Sequence, residues 1–121
     1  LTGPGVVQLP EGLVLRVSLE ERALGESPGA VEFLADALSF PLHVRCCEPG
    51  DRFRPSGMSG TKKLQDLFVD LKLTKEERQS SLLLESEWEV VWVVGLRRAE
   101  GRRPLEGEPV LRIVVGSQME L

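Results

Sequence analysis

The stretch Glu89-Val90-Val91-Trp92-Val93-Val94-Gly95-Leu96 does most to limit the folds open to this chain. With Trp88, Val90 and Trp92 on one face and Val91 and Val93 on the other, it reads as a strand buried on both sides. Further strand signals surround it. Residues 6–9 and 13–19 flank the turn Pro10-Glu11-Gly12, and Leu13, Leu15, Val17 and Leu19 alternate with Val14, Arg16 and Ser18, the pattern of a β-hairpin with one buried face. After the loop Gly25 to Gly29, residues 30–38 read as strand or helix, a short strand at 31–35 followed by a turn being favoured. Another runs from Pro41 to Arg45, with proline first, where no ladder hydrogen bond is lost. Leu82 to Leu84 and Val110 to Val115 complete the set, the latter after a polar loop at 100–109.

Helical spacing occurs once in the middle. Leu64, Leu67, Phe68 and Leu71 fall at i, i+3, i+4 and i+7, one face of an amphipathic helix expected to begin near Thr61. Thr74 and Glu77 form a capping box that starts a second short helix. The Gly- and Pro-rich stretch 49–60 is expected to hold no regular structure. Strands with a helical pair inserted between them make the fold class α+β. At 121 residues, with no repeats and no linker, the chain reads as one domain over 1–121.

The net charge of −4 argues against nucleic acid as a partner, but the charge is unevenly placed. Residues 45–78 sum to +2 and residues 97–103 to +3 in an otherwise acidic chain. If those islands converge they form an anion-binding patch. The adjacent Cys46 and Cys47 lack metal-ligand spacing and are expected to stay reduced, as in a cytoplasmic protein. The apolar run from Val90 to Leu96 is too short to span a bilayer, and no basic-then-apolar leader opens the chain. Because it opens on Leu rather than Met, it is expected to be a piece of a longer protein.

Chemistry-bearing groups are few. Lys62 and Lys63 stand at the expected helix start, where acidic residues are preferred; with Gly57 and Gly60 beside them they suit a phosphate, or else they are merely solvated. The spacing is not that of a P-loop. Arg52 and Arg54 should point out around an inward Phe53, with Asp51 capping the turn after Pro49-Gly50. Arg97, Arg98, Arg102 and Arg103 form either a second phosphate-contacting cluster or a solvated loop. His43, Trp88 and Trp92 read as structural, the tryptophans as core. No catalytic arrangement and no metal site is visible.

Taken in order, Pro41-Leu42-x-Val44-Arg45, Pro49-Gly50-Asp51-Arg52-Phe53-x-Pro55-x-Gly57-Met58 and Gly60-Thr61-Lys62-Lys63-Leu64 resemble the C-terminal domain of tRNA(Ile)-lysidine synthase. Phe68, Glu77-Arg78 and Val91 to Arg97 continue the likeness. The resemblance implies a β-rich, three-layer domain like one in the phenylalanyl-tRNA synthetase β subunit. It implies a parent enzyme that uses ATP (with Mg) and lysine to convert the wobble cytidine of CAU-anticodon tRNA(Ile) to lysidine. That chemistry would sit in an N-terminal pyrophosphate-loop domain absent from this chain, which itself needs no cofactor. The domain would grip the acceptor-stem region of the tRNA. Arg45, Arg52, Arg54, Lys62, Lys63 and Arg97 match basic positions of the family pattern, and Arg98 joins them on charge alone. The competing expectation is an interdomain or protein-interaction scaffold without RNA contact.

Overall fold

The computed structural model describes residues 1–117. It orders them as β1 (Gly5–Gln8), β2 (Leu13–Glu20), β3 (Ala30–Leu34), β4 (Leu42–Cys46), β5 (Arg52–Phe53), β6 (Lys62–Lys63), α1 (Leu64–Asp70), α2 (Lys75–Gln79), β7 (Leu82–Ser86), β8 (Glu89–Val93), β9 (Arg97–Arg98) and β10 (Val110–Ser117). All strand pairs are antiparallel. One sheet runs β1-β2-β10-β3, a second β4-β7-β8-β9, and β5 and β6 form a two-stranded pair of their own.

The second sheet is the middle layer. Leu84, Val91 and Trp92 pack with Leu15, Val17, Val31, Phe33, Leu111 and Ile113 of the first sheet. Leu83, Val90 and Val93 pack instead with Phe53, Leu64, Leu67 and Phe68. The expected α+β class and three layers are therefore both present: sheet, sheet, and a layer of helix plus strand pair. Two apolar interfaces within about a hundred residues explain why polar side chains are so scarce in β7 and β8.

The expected facing of β8 needs correction. Leu84 pairs with Trp92 but Glu85 pairs with Val90, so Val91 is an extra residue in a bulge. The bulge breaks the period of two, placing Val91 with Trp92 and Val90 with Val93. Trp88 is not core at all. It is 87% exposed, at the tip of the β7–β8 hairpin, where Glu87 and Trp88 both take positive φ. Nor does β8 reach Leu96: it ends at Val93, and the chain turns through Gly95 (φ 76°) into β9.

The stretch expected to be irregular also carries structure. Arg52 and Phe53 pair with Lys63 and Lys62, and Pro55 bridges to Ala99. Helix α1 consequently starts at Leu64, later than expected, with Lys63 at its N-cap. Leu64, Leu67 and Phe68 are buried as their spacing requires, while Leu71 falls past the helix and is exposed. The capping box is present: the Thr74 hydroxyl accepts from Glu77 N (3.1 Å) and the Glu77 carboxylate from Thr74 N (2.9 Å).

The two tryptophans should therefore behave oppositely in urea denaturation. Trp92→Ala is expected to cost about 3–5 kcal/mol, and Trp88→Ala less than about 1 kcal/mol. Comparable losses would contradict this packing.

Candidate nucleic-acid interface

Asp51 organises the entry to the basic segment. Its carboxylate accepts from Arg45 Nη1 (2.8 Å) and Nη2 (2.9 Å) and from Glu48 N (2.6 Å), the turn cap expected of it. Its carbonyl accepts from Leu64 N at 2.9 Å, joining the turn to the first residue of α1. Arg45 also reaches Glu85 of β7 through Nε at 3.1 Å. The Arg45 guanidinium, more than the cost of burial, holds the Asp51 carboxyl below its usual range, and the two carboxylates hold Arg45 firmly charged. Beside them, burial and then the Asp51 charge push the Cys47 thiol up to about 11.

From this turn the chain enters β5. Phe53 faces inward and is buried, while Arg52 and Arg54, one residue to either side, are exposed as expected. Arg52 lies directly opposite Lys63 in the ladder, so both side chains leave the same face. Arg52 donates to the Thr61 hydroxyl from Nε and Nη2, each at 3.2 Å. Like charges directly opposed in a strand pair are unfavourable by themselves, and no carboxylate among the described residues pairs with either cation.

The second basic island joins the first through the backbone. Glu100 N donates to Arg54 O (2.7 Å) and Ser56 N to Arg98 O (3.1 Å). Arg97 donates from Nη2 to Ser56 O (2.6 Å) and from Nε to Ser56 Oγ (3.3 Å), so it braces the 55–60 loop with no carboxylate on it. The Glu100 carboxylate accepts from Gly57 N at the same junction.

The seven expected cations thus divide by partner. Arg52, Arg54, Lys63 and Arg97 keep an unneutralised charge along one connected stretch. Lys62, opposite the buried Phe53, is half-buried and ion-paired with Asp70. Arg45 is committed to Asp51 and Glu85. Arg98 is a correction to the charge-based expectation: it is 6% exposed, lies 4.5 Å over the Phe33 ring, pairs with Glu26, and donates to Glu32 O (2.7 Å) and Gly101 O (2.9 Å). A run of arginines cannot reveal which member turns into the core.

Two groups outside the seven candidates also stand out. Arg78 of α2 shares a recess of about 290 Å³ with Lys63, Gln65, Phe68 and Pro49; its only signal was a place in the Glu77-Arg78 pattern. The exposed Trp88 stacks on His43, ring centroids 6.1 Å apart at 15°. No local signal marked Trp88 as a hairpin tip, because Glu87-Trp88 lacks the usual Asn-Gly.

Fold and charge placement define the class first: a three-layer α+β domain carrying a cationic ladder on the outer face of its helical layer. A profile of the TilS substrate C-terminal domain family matches residues 42–115, and the chain belongs to that family. It is 38% identical over 98 residues to the tRNA(Ile)-lysidine synthase of Shouchella clausii, covering 80% of this chain and 21% of that protein. To the enzyme of the same name from Geobacter sulfurreducens it is 36% identical over 117 residues, 94% of this chain and 25% of the relative. The chain spans about a fifth to a quarter of the length of these relatives. A crystal structure of a TilS C-terminal domain superposes with a TM-score of 0.75 at 26% identity, covering 95% of this chain and 92% of the other.

Because the folded-state pKa of Asp51 is depressed, its pairing stabilises the fold above the unfolded value and is lost as pH falls through the folded one. Asp51→Asn should lower the melting temperature at pH 7 and flatten the loss of stability below about pH 4. An unchanged acid limb would remove Asp51 from this role.

Proposed function

We propose that this chain is the tRNA-gripping domain of a tRNA(Ile)-lysidine synthase. In this reading Arg52, Arg54, Lys63 and Arg97 hold phosphates of the acceptor-stem region. The parent protein would convert the wobble cytidine of CAU-anticodon tRNA(Ile) to lysidine in the cytoplasm, using ATP with Mg and lysine in a catalytic domain N-terminal to this one. The observation that carries the reading is the Arg52–Lys63 ladder pair: two like charges set opposite each other without a carboxylate. A phosphate between them turns that repulsion into two charge-assisted contacts. Family membership and the names of the relatives support tRNA(Ile) as the nucleic acid. Duplex RNA exposes a wide, shallow minor groove and its phosphates, so contacts to backbone and shape suit a small patch with no aromatic among its four cations.

A scaffold reading, in which the domain only docks against the rest of the parent, draws on the Trp88–His43 pair, which lies at the β7–β8 turn rather than on the ladder. Salt dependence separates the two readings. In the full-length protein, Arg52→Ala/Lys63→Ala should weaken tRNA(Ile) binding and lower the slope of log K against log salt by roughly 1.4–1.8. Lys62→Ala, which removes a cation already paired with Asp70, should change the slope far less. An unaltered slope in the double variant would take the ladder out of the interface and leave the scaffold reading.

A further inference from the structure

The middle sheet has an open edge with one bond pair already on it. Leu1 N donates to Leu42 O (2.8 Å), and Leu42 N donates to Leu1 O (2.7 Å). That reciprocal exchange is the hydrogen-bonded pair of an antiparallel ladder. It shows that Leu42 directs its backbone groups away from β7. In an antiparallel strand the direction alternates, so Val44 and Cys46 also face outward, while His43 and Arg45 face Glu85 and Leu83 of β7.

Alongside this edge runs a groove of about 380 Å³ between β4 and β1. It is mostly apolar, walled by Leu1, Val7, Leu9, Leu42, Val44 and Leu82, with Gln8, His43 and Arg45 also on its lining. Leu1 sits on the edge of the middle sheet, yet by Gly5 the chain has become an edge strand of the other sheet. Residues 2–4 are therefore a crossing between sheets, the corner seen where a strand changes layers in a sandwich.

We propose that the stretch of chain running into Leu1 in the full-length protein forms an additional strand on the free edge of β4. The family is a C-terminal one, and the matched segment is only 21% to 25% of the relatives' length, so such a stretch is available. With Leu1 opposite Leu42, the residue before Leu1 lies opposite His43. The residue two before Leu1 exchanges both backbone bonds with Val44. Its side chain falls on the same face as Leu42 and Val44, into the groove, and should be apolar. One strand would satisfy the open backbone groups of Val44 and the amide of Cys46, whose carbonyl already accepts from Arg45 Nη1 (3.1 Å), and fill the groove. It would also couple the upstream part of the protein rigidly to the middle sheet. This inference rests on family membership and not on the RNA reading, and its test contains no RNA.

Amide hydrogen exchange on the full-length protein and on the 121-residue chain provides that test. In the full-length protein the Val44 and Cys46 amides should exchange as slowly as those of His43 and Arg45. In the 121-residue chain Val44 and Cys46 alone should speed up, by about tenfold or more. Fast exchange at Val44 in the full-length protein overturns the proposal. So does equal protection in both proteins, and so does protection in the short chain that rises with concentration, which assigns the edge to a second copy. Register is checked by a disulfide. With Cys46→Ser, Cys47→Ser and His43→Cys in the full-length protein, a cysteine directly before Leu1 should oxidise onto position 43, since non-hydrogen-bonded partners lie about 4.5 Å apart. A cysteine two residues further upstream should not, and the reverse pattern overturns the register.

Discussion

The Arg45–Asp51 pair is the contact on which the cationic face depends. Its two short bonds fasten the 48–51 turn to β4, and the second reach of Arg45, to Glu85, fastens both to the middle of the central sheet. The Asp51 carbonyl holds the start of α1 through Leu64. Both ends of the basic segment, Arg52 and Lys63, are thus set by one aspartate. The buried Phe53 between the two exposed arginines then fixes which way they point. The resemblance matched Arg45 to a basic, RNA-facing position, and the structure shows how such a residue can be needed for the face without lying on it.

The same sorting runs through the whole molecule. Where a cation enters a low-dielectric region it meets a carboxylate or several carbonyls, because an unpaired buried charge is prohibitively costly. Arg98 meets Glu26, three carbonyls and the Phe33 ring; Arg112 meets Glu32, which is 1% exposed. Burial works to raise the Glu32 pKa, and the Leu24 and Gly25 amides together with Arg112 more than offset it. Of the seven candidate cations, those left without a carboxylate lie along residues 52–63 and at Arg97. A chain of net charge −4 can therefore still show a nucleic acid a local positive field.

Much of this was legible in the sequence, and what was not has identifiable causes. The hairpin, the helical face of Leu64, Leu67 and Phe68, and the capping box at Thr74 are local patterns with local causes. The middle strand was recognised by its two apolar faces, but the bulge at Val91 depends on pairing with β7, which a single strand's periodicity cannot reveal. Trp88 was read as core because it extends that periodicity by one step, onto a turn where Asn-Gly would be usual. Lys62 and Lys63 were read as helix because the pairing of β5 with β6 joins residues nine to eleven apart across a Gly-rich loop. The sequence could only put the seven candidate cations forward as a set. Their division into four free and three committed was not legible, because it turns on carboxylates such as Glu85, Asp70 and Glu26, which are distant in sequence or unremarkable in it.

The central claim is that an opposed Arg52–Lys63 pair, flanked by Arg54 and Arg97, is built for phosphates. It is tested most directly by chemical-shift mapping of this chain during titration with an acceptor-stem RNA duplex. Shift changes are expected at residues 52–54, 61–63 and 97, with Arg98 and the His43–Trp88 pair unmoved. Changes centred on His43 and Trp88, with a silent ladder, would contradict it.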